Sequence, residues 1–198
     1  MRESQMGTGV ILSIAGGLFC LLVVVVIGWV LAAYNRLVRQ RNQVQASWAQ
    51  IDVQLKRRHD LIPNLVETVK GYAAHERGTL ESVVAARTGA IAAAGGPGVA
   101  DRAAAENVLT QALGRLFALA EAYPDLKANQ NFAALQGELA NTEDKVAYAR
   151  QFYNSAVQTF NTTVQSVPTN IIAGIGGFRA MDFFEAPDGE RAPVQVRF

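Results

Sequence analysis

Apolar residues follow two different patterns along this chain, and the change from one to the other divides it. From Val10 to Ala33 (VILSIAGGLFCLLVVVVIGWVLAA) they are nearly continuous, with no charge between Glu3 and Arg36. A helix needs about 20 such residues to cross roughly 30 Å of hydrocarbon, and it satisfies its own backbone hydrogen bonds there. The pattern predicts a membrane-spanning helix at 10–33, in contact with lipid, preceded by a short exterior tail at 1–9. After Tyr34 the apolar positions become periodic. Leu37, Val44, Trp48, Ile51 and Leu55 recur at spacings of three, four and seven, and Ile62, Leu65, Val69, Tyr72, Leu80 and Val83 continue in phase to about Ala94. Such a heptad-like stripe is what bundle or coiled-coil packing requires. Nothing breaks the chain between the span and the first stripe positions, so the two are expected to form one continuous helix. Pro63 falls inside the pattern and removes a backbone donor. Because the stripe holds its phase across it, a kink in one long helix is favoured over a turn at residues 58–62 with Pro63 opening a new helix.

Gly95, Gly96, Pro97 and Gly98 form a breaker loop. A second helix is expected from Asp101, as N-cap, to Ala122, with Val108, Leu109, Leu113, Leu116, Phe117 and Ala120 on its apolar face. A third is expected from about Ala128 to Gln165, where Phe132, Leu135, Leu139, Val146, Ala149, Tyr153, Ala156, Phe160 and Val164 share a face with Thr142, and Pro168 stops it. No strand pattern occurs in the core of the chain. The tail at 187–198, which includes the alternating Pro193–Phe198, is expected to be disordered. No helix can hide its stripe alone. The expected fold is therefore all-α: a single N-terminal transmembrane helix continuing into a cytoplasmic up-and-down antiparallel helical bundle over residues 34–186.

Charge gives the orientation. Arg36, Arg39, Arg41, Lys56, Arg57 and Arg58 come after the span, whereas Arg2 stands almost alone before it. Basic residues stay on the cytoplasmic side, so the bundle is expected inside and the N-terminus outside. A cleaved secretory signal has a shorter apolar core than this. The formal net charge of +1 offers no broad basic surface for nucleic acid. The single cysteine, Cys20, lies in the span behind bulky Phe19, which suits an apolar helix residue better than a lipidation site.

Candidate chemistry is sparse. His59 and Asp60 are adjacent, so on a helix they point about 100° apart and do not converge on one ion. His75 is sixteen residues from His59, and no HExxH, cysteine ligand pair or bundle-type Glu-x-x-His spacing is present. No GxSxG occurs, and Gly174–Gly177 neither follows a strand nor opens a helix in the manner of a phosphate loop. No metal, no cofactor and no catalytic residue is expected. More informative is the run from Gln151 to Phe178, which contains no Asp, Glu, Lys or Arg. Its uncharged polar face leads into the apolar stretch at Ile171, Ile172, Ile175 and Phe178. Such a surface is covered by something: the rest of the chain, another copy, or the membrane.

Three blocks give the chain a family resemblance. They are Tyr34–Val38 with Arg41–Val44; Trp48–Val66 (WAQIDVQLKRRHDLIPNLV); and Tyr123–Asn129 followed by Asn131, Phe132, Leu135, Glu143, Ala149–Asn154, Asn161 and Pro168. With these the chain resembles the LemA family from its span to about Ala186. The resemblance implies a bacterial inner-membrane protein with one span, a short exterior tail and a cytoplasmic helical bundle, and it supplies no reaction. It also singles out Arg57, Arg58, Asp60, Asn64, Glu143, Arg150 and Asn154, either as a buried polar network that fixes helix register or as a partner site. The expected function is a non-enzymatic, membrane-anchored scaffold that binds a second copy or another protein. The alternatives are a membrane-surface binding or remodelling factor, and an enzyme or its regulatory subunit.

Overall fold

A computed structural model describes residues 2–96 and 98–184, with side chains placed from residue 15 onward. The described residues form six helices and no strand: α1 (Arg2–Lys70), α2 (Arg77–Ala94), α3 (Val99–Ala120), α4 (Pro124–Lys127), α5 (Gln130–Gln165) and α6 (Thr169–Ile175). Residue 97 and the tail at 187–198 lie outside the described residues. The expected exterior tail is helical from Arg2 onward.

Two compact units make up the chain. The first combines residues up to Gln43 with Thr159–Ala180; the second combines Val44–Gln158 with the residues from Met181. In the second unit Ile51, Leu55, Ile62, Leu65 and Val69 of α1 are buried, as the stripe predicts, together with Leu109 and Leu116 of α3 and Leu139 and Val146 of α5. In the first unit Leu37 and Phe160 are fully buried.

α1 runs through Pro63 without a break, so the turn at 58–62 is excluded. The proline nevertheless leaves the carbonyl of His59 without its i+4 donor. Arg87 of α2 supplies the missing bond, its Nε donating to the His59 carbonyl at 2.8 Å. This pairing predicts a conditional effect. Arg87→Met should cost about 1–2 kcal/mol, the scale of a part-buried hydrogen bond from a charged donor. In a Pro63→Ala background, where residue 63 regains its amide, the same change should cost little. A double-mutant cycle by urea unfolding checks this, and equal costs in both backgrounds would show that Arg87 does not compensate for the proline.

The expected single helix to Ala94 is corrected: α1 stops at Lys70 and α2 begins at Arg77. Gly71 weakens the helix there. The amides of Tyr72 and Ala73 both turn back to the Val69 carbonyl, at 3.0 and 2.8 Å. Ala73 is buried by this turn while Tyr72, assigned to the stripe, is exposed. The start of α3 moves as well. Gly98 occupies the N-cap and Asp101 sits in the first turn, where its charge suits the helix dipole. Val108, assigned to the apolar face, is exposed. α5 has a side-chain cap, since Asn129 Oδ1 accepts the Phe132 amide at 3.0 Å. The glycines after Ile175 end α6 in a Schellman turn. The Phe178 amide reaches the Ala173 carbonyl (2.9 Å) and the Gly177 amide the Gly174 carbonyl (3.3 Å). Gly177 takes φ 69°, which suits a residue without a Cβ.

Candidate functional site

Most of the polar side chains that could act lie in the second unit, in two groups. The first is an ion cluster between α1, α3 and α5. Arg58 lies on the α1 stripe, one helical step from Leu55 and Ile62, so its guanidinium is carried into the core and its side chain is 4 % exposed. It meets Glu143 of α5 at 3.0 Å and Glu106 of α3 at 3.8 Å, and it donates to the Thr110 hydroxyl at 2.8 Å. Glu106 is equally enclosed and bonds His59 Nε2 at 2.9 Å. Charges this deep are tolerated when paired and hydrogen-bonded.

The second group surrounds Trp48. Arg102, buried on α3, lays its guanidinium 5.0 Å over the Trp48 ring and pairs with Asp52 at 2.5 Å. Tyr153 and Phe184 pack on the same indole, at 5.1 and 5.7 Å between centroids. Asn154 holds the backbone of Phe184 as a strand neighbour would, donating to its carbonyl at 3.0 Å and accepting its amide at 2.9 Å. The Tyr153 hydroxyl donates to the Asp182 carbonyl at 2.9 Å. Burial, with Asp182 nearby, pushes that hydroxyl's pKa above the usual tyrosine range. The Arg150 guanidinium lies over the Phe184 ring at 5.3 Å. A cleft of about 340 Å³ opens beside Trp48, Asp52 and Arg102. The arginine there is paired with Asp52 and stacked on Trp48.

The residues singled out from the sequence therefore separate. Arg58 and Glu143 come together in the ion cluster, and Arg150 and Asn154 in the aromatic group. Arg57 makes a half-exposed pair with Glu138 at 2.6 Å, a kind of contact worth about 0–1 kcal/mol. Asp60 is exposed and bonds Lys56 at 2.8 Å; that ammonium holds its carboxyl below the usual carboxylate range. Asn64 is exposed on α1. These three do not join the buried groups. The apolar stretch divides too: Ile172 and Phe178 are buried within the first unit, whereas Ile171 and Ile175 are exposed.

Sequence reasoning missed Glu106, His59 as a buried partner, Arg102, Arg87 and Phe184. The first and third had a signal. Arg102 and Glu106 precede Leu109, Leu113, Leu116 and Ala120 at alternating steps of four and three, so they extend the buried face of α3. Among the described residues no three His, Cys, Asp or Glu side chains gather where they could hold a metal ion.

The chain is 30% identical to Magnetosome protein MamQ 2 of Paramagnetospirillum magneticum over 195 residues, 87% of this chain and 72% of that protein. It is 30% identical to Magnetosome protein MamQ of Magnetospirillum gryphiswaldense, over 81% of this chain and 68% of that one. Protein LemA of Metamycoplasma hominis is 25% identical, over 82% of this chain and 73% of its own length. Residues 47–198, which carry both polar groups, match the LemA family, and the chain belongs to it.

Proposed function

We propose that this protein is a membrane-anchored, non-enzymatic helical scaffold that associates with a second copy or with another protein at the cytoplasmic face of the bacterial inner membrane. The observation that carries the anchor is the exposed apolar surface of α1. Leu18, Phe19, Val24 and Leu31 are 62, 68, 66 and 58% exposed, with other apolar side chains exposed between them. By length and composition this helix is suited to cross a membrane, and an apolar surface of that extent is stable in lipid rather than in water. Arg36, Arg39 and Arg41 at its end favour the inner side for the residues beyond them.

An up-and-down antiparallel bundle in the second unit is supported by its cross-helix pairs. Trp48 of α1 meets Tyr153 of α5, and farther along α1 Arg57 meets Glu138, which lies earlier on α5. The non-enzymatic reading is supported by the commitment of the buried charges to one another. Two measurements test the proposal. Native mass of the protein extracted into nanodiscs should be at least twice 21.3 kDa, or include a co-purifying protein; a strict monomer with nothing bound overturns the scaffold reading. Protease added to intact spheroplasts should leave the helical domain whole, and digestion of that domain would reverse the orientation.

A further inference from the structure

The first unit holds a feature that the anchor does not explain. α6 has one buried face, Ile172 and Ala173, and an opposite face on which Ile171 and Ile175 are 62 and 86% exposed. These two are four residues apart and so stand together on the helix. Val167, just before α6, is 80% exposed. Water is a poor neighbour for such a face. The place where Phe178 is held points to the neighbour that covers it.

Phe178 ends the turn after α6 and packs on α1, its ring 5.5 Å from Tyr34 and 5.3 Å from the Arg41 guanidinium. Phe160 closes the same contact at 6.4 Å. Tyr34 stands immediately after the apolar run that ends at Ala33. Three residues of chain reach at most about 11 Å, so Ile175 lies within that distance of Phe178, beside the point where α1 leaves its apolar segment. Charge agrees with position. In this unit the sequence places Arg36, Arg39, Arg41 and Arg179 near the same contact, and Glu3 is its one acidic residue. All four arginines are exposed. An uncharged apolar helix face in a unit whose exposed arginines lack acidic neighbours in sequence fits an anionic bilayer surface: acyl chains accept the isoleucines and lipid phosphates accept the guanidinium groups. A second protein copy carrying the same arginines would meet it with like charge.

We propose that α6 is a second membrane contact, an interfacial helix that seats Ile171 and Ile175 among anionic lipids beside the exit of α1. This rests on the membrane-anchor reading, and the test separates the two. The full chain, with Cys20→Ala, receives one fluorescent label at Val25→Cys or Ile175→Cys and is placed in nanodiscs with or without anionic phosphatidylglycerol. Brominated acyl chains quench from the lipid side and acrylamide from the water side. With anionic lipid, bromine is expected to quench the label at 175 at least half as strongly as at 25. Removing the anionic lipid should raise acrylamide quenching at 175 at least twofold. A label at 175 quenched by acrylamide alone, while that at 25 responds to bromine, overturns the proposal and leaves the anchor standing. Shielding of 175 from both quenchers overturns it in favour of a protein neighbour. Absence of bromine quenching at 25 overturns the anchor, and the proposal with it.

Discussion

Replacing Glu106 with alanine is expected to destabilise the protein by about 3–5 kcal/mol, the usual cost of breaking a buried ion pair from one side. The loss is large because of what remains. Arg58 keeps Glu143 at 3.0 Å, but that carboxylate is 38% exposed, and the enclosed partner on α3 is gone. His59 loses its 2.9 Å bond at the same time. For a chain of this size the change corresponds to a fall in Tm of about 6–20 °C, read from the helical circular dichroism of the detergent-solubilised protein. Most of the penalty is an uncompensated charge, so removing the charge should recover it. Arg58→Met combined with Glu106→Leu is expected to lie closer to the parent than Glu106→Ala does, because burying two charges costs nearly as much as their attraction returns. If the double variant were the less stable of the two, attraction would outweigh desolvation here. If Glu106→Ala alone cost under about 1 kcal/mol, the cluster would be solvated and its burial would not matter.

The charged layer has a consequence for register. A heptad stripe of leucines and isoleucines permits helices to slide by one repeat with little change in burial. Arg58 on α1 can meet Glu106 and Thr110 on α3 and Glu143 on α5 in one alignment, and a slide of seven residues would leave Arg58 and Glu106 buried without one another. Arg58 and Glu143, two of the polar residues that the family resemblance singles out, meet in that layer.

The stripe made most of the core legible because burial on a helix is a matter of phase alone. Leu37, Val44, Ile51, Leu55, Ile62, Leu65 and Val69 are buried as the heptad demands. The turn after Lys70 was hidden by the same regularity. Leu80 and Val83 resume at a spacing that a continuous helix would also give, so Gly71 was the sole local sign of a break. The site was less legible, since its members come from separate helices. Pro63 announces that the His59 carbonyl is unpaired, but that Arg87 fills the gap depends on how α2 returns along α1. Likewise, composition placed Ile171, Ile172 and Ile175 on an apolar stretch, but did not show that Ile172 is buried while Ile171 and Ile175 are exposed.

Phe184→Ala is expected to cost about 3–5 kcal/mol, the range for removing a buried aromatic side chain from a core. Its ring is wholly buried and packs on both Trp48 and the Arg150 guanidinium. The backbone leading to that ring has no helix to support it. Residues 179–184 are irregular, and the fixed points are the paired bonds from the Asn154 amide to Phe184 and the bond from the Tyr153 hydroxyl to the Asp182 carbonyl. Ring and clamp should therefore act together. Asn154→Ala is expected to cost about 1–3 kcal/mol in the parent, where it strands a carbonyl and an amide, and much less once the ring has gone and the segment has left Trp48. A coupling of about 1 kcal/mol or more in the double-mutant cycle is the predicted result. Limited proteolysis gives an independent reading: in Phe184→Ala, cleavage after Arg179 should quicken while cleavage within α5 stays slow. If both sites accelerated equally, the variant would be unfolding as a whole, and residues 181–184 would be part of the core rather than a strap laid over it.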